Sequence, residues 1–237
     1  MKKLLLSAFL ICSTVLLFAQ KVINDPNAEV RSVSGFHAIH VSNSFDVYIT
    51  QGTEEALAVS SNHKEDMDKI ITKVENGVLK IWLDEKMRWG LKNRKLKAYI
   101  SVKQLSEIRG SGATDFNIEG ELKAENLKLN LSGASDLKGK LTVTGKLQTS
   151  ISGASDINIS GSAEELVVSA SGASDVKAYD FTTNTCQVDA SGASGVKITV
   201  NKEMSARLSG ASSVSYKGTA MIKDIKTSGA SSISRKS

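Results

Sequence analysis

The chain has 237 residues, 41% of them hydrophobic but only 5% aromatic, with 18 glycines and a single proline. That is enough for one extended domain or two small ones, and it suits thin layers of small side chains better than a bulky globular core. The formal charge of +5 is too modest to argue for a nucleic-acid partner, and two cysteines exclude a disulfide framework.

Residues 1–20 carry Lys2 and Lys3, then an apolar run over residues 4–18, then Ala19-Gln20. This reads as a secretory signal peptide cut beside Ala19, although Leu17 is larger than the residue usually found there. Cys12 lacks the small preceding residue of a lipidation site, since Ile11 stands before it. Removal of the signal leaves 28 basic against 25 acidic residues, and Cys186 as the one remaining cysteine. No later apolar run is long enough to span a membrane.

After a polar lead-in over residues 24–31, Phe36, Ile39 and Val41, then Phe45, Val47 and Ile49, outline two short strands ending at Gln51-Gly52. A third strand covers residues 57–59. Residues 62–71 suit a short helical turn, with Met67, Ile70 and Ile71 on one face. The Asn76-Gly77 pair then predicts a tight hairpin over residues 72–83, whose second strand carries Trp82.

The most charged stretch follows, residues 84–97. Within it Arg88, Trp89, Lys92, Arg94 and Lys95 form the candidate ligand-binding loop, because cations around an aromatic ring can hold acidic sugars or other anionic envelope polymers. The simpler alternative is a solvated loop with Trp82 and Trp89 tucked against the domain.

From residue 105 the chain repeats itself. The phrases SGATD, SGASD, SGASD, SGASD, SGASG, SGASS and SGASS place Gly112, Gly133, Gly153, Gly172, Gly192, Gly210 and Gly229 about 20 residues apart. A period of that length marks a solenoid in which each repeat buries its apolar face only by stacking on its neighbours. Aligned on these structural corner glycines, residues six, four and two positions earlier form columns such as Leu127, Leu147 and Leu166, or Ile108, Leu129 and Val168. Four positions later a further column runs Phe116, Leu137, Ile157, Val176, Val196, Val214 and Ile233. Polar residues alternate between them, the pattern of strands with one buried face. The fold class is therefore all-β, a parallel β-helix with coils of about 20 residues. Residues 21–104 read as an irregular β-rich part capping its N-terminal end, and residues 105–237 as the helix itself. Lys223 and Thr227, inside the aligned columns of the last coil, read as protection of its edge.

Asp115, Asp136, Asp156 and Asp175 fall at one position of successive coils, before Gly195, Ser213 and Ser232 take over. Such a column could bind calcium, or be an outward ladder relieved by Lys138 and Lys177 on the same strand faces. The serines at every corner fit hydrogen-bonding turn residues, and no nucleophile elbow accompanies them. His37 and His40, three residues apart on a strand, point to opposite faces. Cys186 sits in a column of Leu and Met, as a small buried apolar residue. No catalytic, cofactor-binding or metal-ligating residue is expected, and no cofactor.

Arg31, Val33 and Phe36 in an R-x-V-x-x-F lead, SFDVYITQG at 44–52, ENGVLKIWL at 75–83 and the SGASD corners together resemble the auto-transporter adhesin family called the head GIN domain. The resemblance covers essentially the whole chain after the signal. It implies a secreted or envelope protein of Gram-negative bacteria with a right-handed β-helical fold and no established enzymatic activity, and it brings no agreed binding residues. In one respect the chain departs from an autotransporter: the repeats run to the end of the sequence without the strands of a membrane barrel behind them, so self-export is not expected. The expectation is a noncatalytic adhesin-like module, located in the periplasm, on the outer surface or outside the cell. It would meet an unidentified polysaccharide or protein partner, with homo-oligomer formation left open. A polysaccharide lyase or hydrolase, and a purely structural self-assembling protein, are the alternatives.

Overall fold

The computed structural model describes residues 23–84 and 94–236; the signal segment, residues 1–20, lies outside them. In chain order the first strands are β1 (Glu29–Arg31), β2 (Ala38–Asn43), β3 (Phe45–Gln51) and β4 (Ala56–Ser61). A 3-10 turn over Lys64–Lys69 leads to β5 (Ile70–Glu75), β6 (Val78–Leu83) and β7 (Leu96–Val102). Then come β8 (Glu107–Gly112), β9 (Asp115–Ala124), β10 (Leu127–Leu131), β11 (Asp136–Ile151), β12 (Asp156–Ala170), β13 (Asp175–Ala190), β14 (Gly195–Leu208), β15 (Ser213–Lys217), β16 (Met221–Thr227) and β17 (Ser232–Arg235).

From β8 onward every strand pairs in parallel with the one a coil away, so the chain winds as a β-solenoid. Each long strand runs from one coil into the next. The first half of β11 lies between β9 and β12, and its second half continues the column begun by β10. The predicted registers appear residue for residue: Ile108, Leu129, Thr149, Val168, Val188, Ala206 and Ile225 stack in one column, and Phe116, Leu137, Ile157, Val176, Val196, Val214 and Ile233 in another. Most of these side chains are fully buried, and they join one core that runs through the described chain. At roughly 1.5–3 kcal/mol for each buried Leu, Ile, Val or Phe, the columns supply most of the driving force. Where Gly110 leaves a gap in its column, the Phe116 ring fills it; a Cβ on Gly110 would come within 2.5 Å of that ring.

The solenoid extends further towards the N-terminus than the wording of the sequence indicates. Strand β2 lies in parallel between β6 and β8, and β3 between β7 and β9. Ser42 and Asn43 pair with Ser111 and Gly112, and Asp46 with Asp115, so SNSFD is an eighth corner in disguise. Asn43 adopts φ 79°, the conformation its glycine counterparts take without strain. Strands β6 and β7 make one more coil outside it. The irregular cap is smaller than residues 21–104: it consists of β4, antiparallel to β7, β1 on β4, and β5 in a hairpin with β6. These reversed strands cover the N-terminal edges of the stack.

At the other end, the pairing slips between Met204↔Ile222 and Ser205↔Asp224, so Lys223 is bulged out of the column in which simple counting places it. Its ammonium instead lies 3.1 Å from Glu203. Thr227 does take its predicted place opposite Leu208. Met221 and Ile222 remain 65% and 40% exposed on this coil. A bulge and an outward lysine on β16, in the last coil, are devices that discourage edge pairing. Among the described residues no helix is long and apolar enough to cross a membrane.

Candidate functional site

The corner glycines line one edge of the solenoid. The amides of Ala134, Ala154, Ala173, Ala193 and Ala211 donate to the carbonyls of Gly112, Gly133, Gly153, Gly172 and Gly192 at 2.7–2.8 Å. At Gly172, φ is 78° and a Cβ would sit 2.5 Å from the Gly153 carbonyl oxygen, so any side chain there collides with backbone. The serine that ends each corner points inward. Ser135, Ser155, Ser174, Ser194 and Ser212 are buried, and each hydroxyl donates to the carbonyl three residues before it, at 2.7–3.0 Å. Two of these hydroxyls also accept from the coil before, Thr114 N–H to Ser135 Oγ and Ser135 N–H to Ser155 Oγ, both at 3.3 Å. The hydroxyls thus satisfy corner backbone that would otherwise be buried without partners. Cys186 fills its apolar column, and burial pushes its thiol up to about 12, far from a reactive thiolate.

The candidate loop is divided by the structure. Arg88, Trp89 and Lys92 lie outside the described residues. Arg94 turns inward: its Nη1 is 3.1 Å from Oδ1 of Asp66, a carboxylate with no exposed surface. Lys95 is exposed, and its backbone is tied to Asn62 in both directions. Arg94 is therefore a structural partner of a buried charge at the base of the loop. Strands β6 and β7 lie beside β2 and β3 respectively, and β2 and β3 are joined through Ser44.

The aspartate column is one coil longer than the SGASD phrases imply, running Asp46, Asp115, Asp136, Asp156 and Asp175. Its members from Asp46 to Asp156, with Tyr48, Asn117, Lys138, Asn158 and Lys177 beside them, line a shallow groove of about 420 Å³. Burial, with the Asp136 and Asp46 carboxylates adding to it, raises the Asp115 pKa above the ordinary aspartate value. Relief comes diagonally between coils: Lys177 Nζ reaches back 2.7 Å to Asp156, and Asp136 accepts from the Asp156 amide at 3.1 Å. At the upper end the Tyr48 and Tyr99 rings stack, centroids 5.2 Å apart, and Tyr99 donates to Asp25. Among the described residues no group of three or more His, Cys, Asp or Glu side chains is arranged to hold a metal ion.

A second groove, of about 670 Å³, lies on the outer face of β5, β6, β2 and β8. Its residues fall in rows across the four strands. Lys73, Lys80, His40 and Arg109 stand in register, and beside them run Ile71, Trp82, Ser42 and Ser111. Glu75 binds Lys73 at 2.6 Å and Lys80 at 2.7 Å, which together hold its carboxyl down at about 2. Glu107 lies 3.3 Å from His40 Nε2 and 3.0 Å from Arg109. Burial lowers the His40 pKa below the ordinary imidazole value, by more than the Glu107 carboxylate raises it. The sequence offers no sign of this assembly, because the four strands are joined out of order: β8 and β6 lie on either side of β2. Aligning residues 38–49 with 107–118 is the one signal that would have revealed part of it.

The profile of the family described as "Putative auto-transporter adhesin, head GIN domain" matches residues 35–220. Among proteins with curated descriptions, none matches this chain. The fold is similar to the crystal structure of a putative adhesin from Bacteroides fragilis NCTC 9343, with TM-score 0.81, 22% identity, and 88% of this chain and 96% of that one covered. It is also similar to a putative lipid binding protein from Parabacteroides distasonis ATCC 8503, with TM-score 0.67, 20% identity, and 90% and 98% covered. A putative adhesin from Parabacteroides merdae ATCC 43184 follows, with TM-score 0.66, 18% identity, and 89% and 96% covered. At these identities the likeness establishes the fold alone, but the family profile spans most of the chain. On that match, the chain belongs to the family described as "Putative auto-transporter adhesin, head GIN domain".

Proposed function

We propose that this chain is a noncatalytic, adhesin-like module of the cell envelope or extracellular space, which holds a saccharide or protein partner against the outward columns of its solenoid. The observation that carries this reading is the division of labour between the two sides of each strand. Apolar side chains fill the inward columns, while Asp, Lys, Asn, Tyr and Trp side chains are presented outward in fixed register over several coils. Such a body presents ordered rows of groups with little conformational entropy to lose on binding. Membership of an adhesin family supports the same direction.

Export by way of the signal segment at residues 1–20 completes the reading, and places the mature chain in the periplasm, on the outer surface or outside the cell. Fractionation of cells, with mass determination of the exported N-terminus, tests that part; a full-length cytoplasmic product would sink it. Binding is tested by probing arrays of envelope glycans and matrix proteins with the purified protein. Saturable capture without product release is expected, whereas turnover of a glycan would replace this reading with the enzymatic one. The share of the 84–95 loop is tested by a variant with Arg88→Ser, Trp89→Ala and Lys92→Ser, which spares the structural Arg94.

A further inference from the structure

The two rows on β5, β6, β2 and β8 define a more specific site, and the inference drawn from them rests on the binding-module reading above. Successive strands are about 4.8 Å apart, so the basic side chains of Lys73, Lys80 and Arg109, with His40 between the last two, form a line parallel to the solenoid axis. In the next β-coil the same position is Asn130, and the basic row ends there. Beside the row, Trp82 is half-buried, with Ile71 as its cross-strand neighbour. Beyond Trp82, the hydroxyls of Ser42 and Ser111 are hydrogen-bonded to each other at 3.0 Å.

Each part of this face has a counterpart in one ligand class. The C–H face of a pyranose ring is apolar and matches the part of the Trp82 indole that lines the groove, a rigid flat surface with little entropy to lose. Sugar hydroxyls match the Ser42 and Ser111 hydroxyls, which can both donate and accept. Negative charges along the polymer match the cations Lys73, Lys80 and Arg109 on β5, β6 and β8. Lys73, Lys80 and Arg109 are all roughly half exposed, and although Glu75 and Glu107 engage them, the ammonium and guanidinium groups keep further N–H donors directed to solvent. The groove volume lies in the range of small-ligand sites, and its open form suits a chain lying along the rows rather than an enclosed molecule.

We propose that this face binds an acidic glycan of the polyuronate type, with a sugar ring seated on Trp82 and carboxylates along the polymer meeting Lys73, Lys80 and Arg109. The test uses intrinsic fluorescence. The chain has two tryptophans, so Trp89→Phe leaves Trp82 as the sole reporter. Titration of this variant with polygalacturonate is expected to change Trp82 emission saturably, with the effect weakened by salt; the neutral polymer pullulan should leave it unchanged. Adding Lys80→Gln and Arg109→Gln, both outward positions, should raise Kd about tenfold or more, with an unaltered circular dichroism spectrum.

Equal response to pullulan, unchanged affinity in the charge variant, or a response to phosphatidylglycerol vesicles in place of polygalacturonate would each overturn the proposal. Should the arrays capture a partner while Trp82 emission stays constant with every acidic glycan, the module reading stands and this site falls. No capture of any kind removes both.

Discussion

Ser155 shows how little chemistry holds a corner together, and how costly its loss would be. Its hydroxyl donates to Ser152 O at 3.0 Å and accepts from Ser135 N–H at 3.3 Å, inside a fully buried position. Ser155→Ala strands both backbone groups, and unfolding in urea should show a loss of about 1–3 kcal/mol, against almost none for the exposed Ser213→Ala. Asp115 carries the opposite sign. Burial, with the neighbouring Asp136 and Asp46 carboxylates, raises its folded-state pKa, so its contribution to stability is present at pH below the ordinary aspartate value and is lost as pH rises through the raised one. Asp115→Asn should therefore leave the protein equally or slightly more stable at pH 7, by a few tenths of a kcal/mol, with the difference vanishing near pH 3. A clear loss of Tm at pH 7 would show that the carboxylate is needed for the fold.

At the scale of elements, the cap and the base of the 84–95 loop depend on one ion pair. Asp66 lies in the 3-10 turn with no exposed surface, and Arg94, at the entry to β7, is 3.1 Å from it. Arg94→Ala leaves a buried carboxylate with, among the described residues, only Lys69 at 3.9 Å as an ion-pair partner, and should cost roughly 3 kcal/mol in a denaturant titration. Adding Asp66→Asn should recover part of the loss, because the stranded charge is then gone. The loop's basic residues thus looked alike in the sequence but divide in space, since only the packing of β4, the turn and β7 decides which guanidinium faces a buried acid. The hairpin over residues 72–83 was fully legible, because Asn76-Gly77 supplies the positive φ angles, 51° and 75°, that its tight turn requires.

Over the whole molecule, stability rests on stacked columns, and the contrast between their two sides can be measured. Leu129 is fully buried, so Leu129→Asp should cost several kcal/mol, whereas the exposed Gln148→Asp on the next coil should shift stability by less than about 0.5 kcal/mol. Equal losses would contradict the observed column. The column registers from Leu127 onward could be read from the chain alone, because a coil repeats its own sequence and the glycine corners reset the count every turn. The slip that enters these columns, at Lys223, is a bulge, which inserts a residue without leaving a compositional mark; the other register shifts fall between the columns. The N-terminal coils could not be read in this way. β6–β7 and β2–β3 are stacked out of chain order, and Asn43 replaces the glycine that marks every later corner. Sequence by itself determined the local alternation and the period, since both follow from side chains that must face in or out along one strand. Only the tertiary structure decided which distant strands became neighbours, because that choice is made by hydrogen-bond pairing across coils. It was this pairing that set Lys73, Lys80, His40 and Arg109 in line beside Trp82.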